Sequence, residues 1–371
     1  MLVNVVLVVY ALLCWSQVCG GKSTSFWKQM DAIDALHEPS ITHHHHGSSL
    51  DRRALTASHP GSSSIKCTHP VARVSFYALT SSERAAWVHS FTQLHTLRNK
   101  SIFVRGGTFM DDLTMVHIGL QEEMHFNACF LVCHTAFLRA FYSLMRVVGY
   151  RGREAYWDIE HDWKHGMSRS PMWTYLGDDA HGKAIASGPF RGLTCGVLPN
   201  TKRPGYSLIK PHYVTRHFNA NWNQNPLSRG DMYSSHYNTS LYHHMLTSPN
   251  YTSLRRLLET SLHAWTHQSI GGEMWLYSSP CEPAFWLLHA EVDRCWRSWQ
   301  ATHHSWFDYQ GHRRIRNHDG SSQLKTASLD DTIDLYGLFE KVKVRDVMHP
   351  RRGIMCFRYD RLLGGAPDNS S

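Results

Sequence analysis

Apolar positions at Trp87, Phe91 and Leu94 recur at helical spacing, and Thr80 with Glu83 three residues on has the form of a capping box that starts this helix. Further aromatic-rich helical patterns follow. One ends near His117, a second runs from about Cys133 to Val148, a third covers about 252–267 and a fourth about 282–299. Between 150 and 250 the chain is punctuated by Gly, Pro, Asn and Asp, which predicts long loops and short pieces. The pattern is that of a mainly α fold, a central helical bundle with long loops and few short strands, and it shows no internal repeat.

Before residue 67 the pattern changes. Residues 2–16 form an uncharged apolar run that is short for a bilayer span and is followed by small residues around Val18 and Gly20. Residues 1–20 therefore read as a secretory signal peptide, with an uncleaved anchor as the alternative because no Lys or Arg precedes the run. Residues 21–66, rich in Ser, His and Gly without apolar periodicity, read as a flexible extension. The tract His43–His46 within it reads as native, with a purification remnant as the alternative, and in either case it can pick up metal adventitiously. No second apolar stretch of membrane length follows, so the mature protein is expected in the secretory lumen or outside the cell.

Sequons at Asn99, Asn238, Asn250 and Asn369 fit a secreted glycoprotein. With Cys14 and Cys19 removed alongside the signal, Cys67, Cys129, Cys133, Cys195, Cys281, Cys295 and Cys356 are odd in number, so at least one lacks an internal partner. The net charge of +8 is scattered apart from Arg313-Arg314-Ile315-Arg316 and Arg351-Arg352. This argues against a nucleic-acid partner and for a solvated basic surface that favours acidic matrix or glycan partners.

The compositional outlier is histidine, at 28 residues. Two groups stand beside the aromatic helix patterns: His117, His125 and His134, then His263, His267 and His289. His263 and His267 are four apart and so share one helical face, while His289 arrives from the next helix. A four-apart pair alone is ordinary in a chain with this many histidines. A zinc-protease reading needs Glu directly after the first histidine, and Ala264 stands there. Three imidazoles per metal without thiolate or carboxylate suit copper, zinc, iron or nickel. Facing helices that project such side chains inward are how bundles build dinuclear sites.

The ordered context narrows the choice. Leu258-Glu259, His263 and His267, Gly271-Gly272-Glu273-Met274, Glu282-Pro283-Ala284-Phe285-Trp286, His289, Val292-Asp293-Arg294 and Trp296 resemble, in order, the second copper motif of the tyrosinase family. The stretch around His117, His125 and His134, with Phe130-Leu131-Val132-Cys133 between the last two, is similar to the first copper motif. Leu79 to Arg84, Tyr156-Trp157-Asp158, Gly188-Pro189-Phe190, Val344-Arg345-Asp346-Val347 and Phe357-Arg358-Tyr359 extend the resemblance over roughly residues 67–360, one domain, leaving 361–371 as a tail.

The resemblance implies a bundle holding two copper ions that bind O2 between them, the type 3 centre, which oxidises catechols to quinones and in some members first hydroxylates monophenols. His117, His125 and His134 would hold one copper and His263, His267 and His289 the other, with Phe285 bracing the site. Substrates would be phenolic small molecules, or tyrosyl and DOPA side chains of matrix proteins, in tanning, pigmentation (melanin) or crosslinking; the oligomeric state is not indicated.

Departures from the family pattern carry expectations of their own. Glu259 matches a water-orienting Glu of one branch, but the Asn that partners it is Ala264, so catechol oxidation should outrun tyrosine hydroxylation. Glu123 occupies the position of the thioether-forming Cys, so His125 is held without that bond. Val132, Cys133, Thr135 and Tyr142 replace the Pro, Trp, Arg and acidic residue usual around the third histidine. Without the family's C-terminal shield, activation by proteolysis is not expected. The alternatives are a haemocyanin-like oxygen carrier and a degenerate, non-catalytic copper-binding matrix protein.

Overall fold

The computed structural model describes residues 67–200, 207–219, 230–316, 322–352, 354–365 and 368. The expected signal and extension (1–20 and 21–66) and the Asn369 sequon lie outside the described residues. Strand β1 (Val71–Ser75) is the middle of a parallel three-stranded sheet, with β2 (Glu154–Tyr156) on one side and a strand from the far end of the chain, Phe357–Tyr359, on the other. The Cys67–Cys356 disulfide fastens the same two ends of the domain.

Helix α1 (Ser81–Thr96) starts as the sequence predicts, with Thr80 Oγ1 accepting from the Glu83 N–H at 3.2 Å and Glu83 Oε2 accepting from the Thr80 N–H at 2.9 Å. A second capping box, Thr108 with Asp111, opens α2 (Phe109–Gly119). Helix α3 (Cys129–Val147) begins four residues earlier than expected, because the Asn127 side chain accepts from the Cys129 N–H at 2.9 Å and starts the first turn there. The predicted third helical pattern is interrupted: α4 (Tyr251–Leu258) passes through a π-helical turn, Glu259–His263, into α5 (Ala264–Ile270). Helix α6 (Pro283–His303) is buried without a break from Pro283 to Gln300.

The result is the expected mainly helical domain. The described residues between 150 and 250 form loops, short helices and short strands, among them an antiparallel pair of β3 (Thr194–Pro199) and β4 (Ser207–Tyr213). Two sequon asparagines, Asn238 and Asn250, serve as helix N-caps, while Asn99 is exposed. Residues beyond Tyr359 still pack: the Leu363 N–H donates to Ser298 Oγ at 2.9 Å and Asp368 accepts from the Tyr359 N–H at 3.0 Å.

Helices α3 and α6 lie against each other at the centre, where the Phe141 and Trp286 rings stack with centroids 4.0 Å apart and Phe137 meets Trp286 at 4.9 Å. Being buried all round, α6 must pair the charges it carries. Glu291 pairs with Arg294 at 2.7 Å, and Asp293 pairs with Arg297 at 3.1 Å and with Arg73 of β1 at 2.8 Å. Further disulfides join Cys195 to Cys281, from β3 to the turn before α6, and Cys129 to Cys133 within the first turn of α3. Cys295, buried on α6, is the unpaired thiol that the odd count required.

Candidate metal centre

The six expected histidines converge. The ligand atoms of His117, His125 and His134 lie within 4.8 Å of one another, and so do those of His263, His267 and His289. The two groups face each other: His134 and His289 stack ring on ring at 4.2 Å with an interplanar angle of 4°, and the His125 and His263 rings are 6.0 Å apart. Phe285 meets rings of both groups, His117 at 5.2 Å, His267 at 5.9 Å and His289 at 4.3 Å, which is the bracing position expected of it.

Each ring is aimed by its neighbours. His117, in the last turn of α2, donates Nδ1–H to the Tyr277 carbonyl at 2.7 Å. His125 caps a single helical turn and donates to Gln121 O at 3.0 Å, while His134, on α3, donates to Phe130 O at 2.8 Å. His263, at the end of the π turn, donates to Glu259 O at 3.2 Å, and His267, on α5, donates to Met274 O at 2.6 Å. A backbone carbonyl can only accept, so in these five rings the proton sits on Nδ1 and the Nε2 lone pair points away from it. His289 has no such partner on Nδ1 and is fixed by its stacking.

The Nε2 atoms of His117, His134, His263, His267 and His289 are buried without a hydrogen-bond partner among the described residues. Orphaned buried acceptors are costly and rare, and a cluster of them aimed into one space fits metal ions well. Burial, ahead of repulsion between neighbouring rings, holds the imidazoles neutral. His125 and His267 are pushed down to about 4, and His117, His134, His263 and His289 lie well below the ordinary histidine range. Neutral imidazole is the form that binds a metal, and three per ion leave coordination positions open.

Glu259 is buried, and burial raises its carboxyl to about 7 against the opposing pull of Arg255. Its Oε1 accepts from the Phe126 N–H at 2.5 Å and its Oε2 from Arg255 at 2.8 Å, so it ties the loop after His125 to the helix that carries His263. The sequence reading missed this tie, and also the roles of Tyr277 and Met274, whose backbone carbonyls carry no residue-type signal. The Gly271-Gly272 pair does carry one. Both have positive φ, 62° and 53°, and a Cβ on Gly272 would overlap the Thr215 backbone. The turn they make delivers the Met274 carbonyl to His267.

A third cluster, Cys195, His212 and Glu273, has metal-like spacing. Cys195 is disulfide-bonded, and His212 donates to Glu273 at 2.9 Å, so this group is a structural pair.

Residues 80–302 match the family model described as the common central domain of tyrosinase. The tyrosinase-like protein phomQ1' of Diaporthe leptostromiformis is 28% identical over 312 residues, covering 80% of this chain and 81% of that protein. Tyrosinase ustQ of Aspergillus flavus is 26% identical over 309 residues, covering 79% and 80%. Among solved structures, a polyphenol oxidase of Thermothelomyces thermophila superposes with a TM-score of 0.67 at 22% identity, covering 91% of this chain and 97% of that one. A tyrosinase of Burkholderia thailandensis gives 0.54 at 15% identity, covering 81% and 76%. The fold is shared with both, and the family model spans more than half the chain. With two facing histidine triads inside the matched region, the chain belongs to the tyrosinase family.

Proposed function

We propose that this protein is a secreted type 3 copper phenoloxidase that oxidises o-diphenols to o-quinones with O2. The observation that carries the reading is the pair of facing histidine triads with orphaned, buried Nε2 atoms. His117, His125 and His134 would hold one copper, and His263, His267 and His289 the other. Bound there, the copper pair would supply the redox step in which two catechols reduce one O2 to two waters and leave as two quinones. The chain's own part is to fix six neutral rings by backbone carbonyls and stacking, to exclude water with Phe285 and Phe130, and to leave one side open to a flat phenol.

Glu259 has two lone pairs left after accepting from Phe126 and Arg255, and we assign it the water-orienting role near His263. With Ala264 beside that histidine, the base is weak and catechol oxidation outruns tyrosine hydroxylation. Three disulfides among the described residues support an oxidising compartment, and no described helix is long and apolar enough to cross a membrane. Phenolic small molecules, or tyrosyl and DOPA side chains of matrix proteins, are the substrates we infer, with tanning, pigmentation or crosslinking as the setting.

Metal analysis of the copper-supplemented protein, run beside oxygen uptake with L-DOPA and tyrosine and a His263→Ala control, tests this. Two coppers with His263-dependent oxidation that is faster on L-DOPA are expected. Reversible O2 binding without turnover would replace the reading with a carrier, and absence of stoichiometric copper would replace it with a degenerate matrix protein.

A further inference from the structure

The six histidines are unequally covered. His117, His134 and His289 keep 3% exposure or less, His125 and His263 keep 8%, and His267 is only partly buried. The site therefore opens on the side of His125, His263 and His267. On that side stands Phe126, 58% exposed, with its ring 6.5 Å from that of His125.

Phe126 has a φ of +58°, the left-handed region that a glycine or asparagine occupies easily and a bulky side chain does not. Its surroundings hold it there from both sides. The Phe126 N–H is anchored on Glu259 Oε1 at 2.5 Å, and Glu259 is itself fixed by Arg255. Asn127 donates through Nδ2 to the carbonyls of Glu122 at 3.0 Å and His125 at 2.7 Å, and accepts from Cys129. A strained backbone carrying a large aromatic ring that lies mostly in solvent is not explained by packing of the core. Such strain collects where a side chain meets a ligand.

We propose that Phe126 is a specificity-determining residue: its ring forms one wall of the entrance and stacks on the ring of an incoming phenol, and the Arg255–Glu259–Phe126 chain of contacts holds that wall in place. The inference rests on the phenoloxidase reading. It also gives Glu259 a second task, since its carboxylate, on the same helical turn as His263, positions the substrate wall through the Phe126 N–H.

The test uses the copper-loaded full chain and compares wild type, Phe126→Gly and Phe126→Tyr. Equilibrium binding of 4-nitrocatechol is followed by visible absorption, with steady-state catechol kinetics, copper content and melting temperature alongside. Loss of one ring-on-ring contact should weaken 4-nitrocatechol binding and raise KM about 2- to 10-fold in Phe126→Gly. The kcat should change little, because an interaction equal in ground and transition states acts on KM alone. Phe126→Gly should keep both coppers and melt at the same temperature or higher, since glycine accepts the left-handed backbone without strain. Phe126→Tyr should behave as wild type. Wild-type affinity and KM in Phe126→Gly would overturn the proposal, and so would a lowered melting temperature with lost copper, which would mark a structural role. Failure of the phenoloxidase reading would show in the wild type itself, as absence of both 4-nitrocatechol binding and oxygen uptake, and would overturn both.

Discussion

The metal-free protein should be acid-labile, and copper should suppress that lability. All six rings of the two triads are held below their ordinary titration range, first by burial and in most of them also by neighbouring histidines. In the unfolded chain a histidine titrates near 6.5, whereas His125 and His267 titrate near 4 in the fold, and the other four lie well below 6.5. Between those values the unfolded chain binds more protons than the native one. Stability is therefore complete above the unfolded value and falls as pH drops through about 6.5 toward about 4. A single group displaced to about 4 withdraws about 2 kcal/mol between pH 7 and pH 5 by this linkage. His125 and His267 together withdraw about 4 kcal/mol, and the other four rings, held well below 6.5, add losses of the same sign, a large share of the net stability of a domain. Bound copper competes with those protons for the same Nε2 lone pairs, so the loaded form should hold its stability to lower pH. Denaturant unfolding of metal-free and copper-loaded protein, followed by far-ultraviolet circular dichroism from pH 7.5 to 4.5, reads this directly. The metal-free form should unfold without denaturant near pH 5 while the loaded form persists. A flat metal-free profile, or parallel losses in both forms, would refute the picture of six buried neutral donors sharing one cavity.

Removing Asp293, which accepts from Arg73, Arg297, Thr135 and Tyr359, leaves buried guanidinium groups short of a counter-charge. Asp293→Ala should cost about 3–5 kcal/mol and lower the melting temperature by roughly 10 °C, read by calorimetry. Gly272→Ala places a Cβ onto the Thr215 backbone at a positive φ and should cost about 2 kcal/mol or more. Because its turn supplies the carbonyl that orients His267, equilibrium dialysis should show one copper held more weakly than the other. Ala264→Asn restores the amide that the family pairs with the water-orienting Glu, and it should raise the tyrosine-to-L-DOPA rate ratio in oxygen-uptake assays; an unchanged ratio would remove Glu259 from proton transfer.

What could be read from the chain and what could not divides along the distance over which each contact acts. His263 with His267 and the start of α1 at Thr80 with Glu83 rest on residues within a few positions of one another, so their spacing carries them, whereas His117, His125, His134 and His289 are legible only through the ordered motifs around them. The π turn Glu259–His263 does not disturb the apolar pattern and was invisible. Yet it sets the angle at which His263 meets His125, because one extra residue in a helical turn rotates everything after it. The carbonyls of Tyr277 and Met274 come from irregular turns and have no side-chain signature.

The replacements around the third histidine are the most instructive, because in sequence they read as erosion. Thr135 stands where the family has Arg, and its hydroxyl donates to Asp293 at 2.7 Å. The positive charge that Asp293 also needs comes from Arg73, 220 positions away on β1, at 2.8 Å, with Arg297 on its other oxygen. Arg73 is in turn balanced by Glu154 on the adjacent strand β2, at 2.8 Å, in register with it. Tyr142, where an acidic residue is usual, accepts from the Ala155 N–H at 2.8 Å and donates to the Ala155 carbonyl, so it fastens β2 to α3 by neutral hydrogen bonds. The ionic support of the Asp293 carboxylate beneath His134 and His289 thus includes a guanidinium from the small parallel sheet, which the Cys67–Cys356 disulfide clamps from outside. The buried charges Arg73, Glu154, Asp293 and Arg297 are thus matched across two strands and one helix, and because each unmatched one would cost several kcal/mol, the fold itself requires the matching whether or not a metal is bound. The replacements around His134 therefore carry no argument for a lost metal site, because the ionic support that α3 does not supply to Asp293 comes from β1 and from α6 itself.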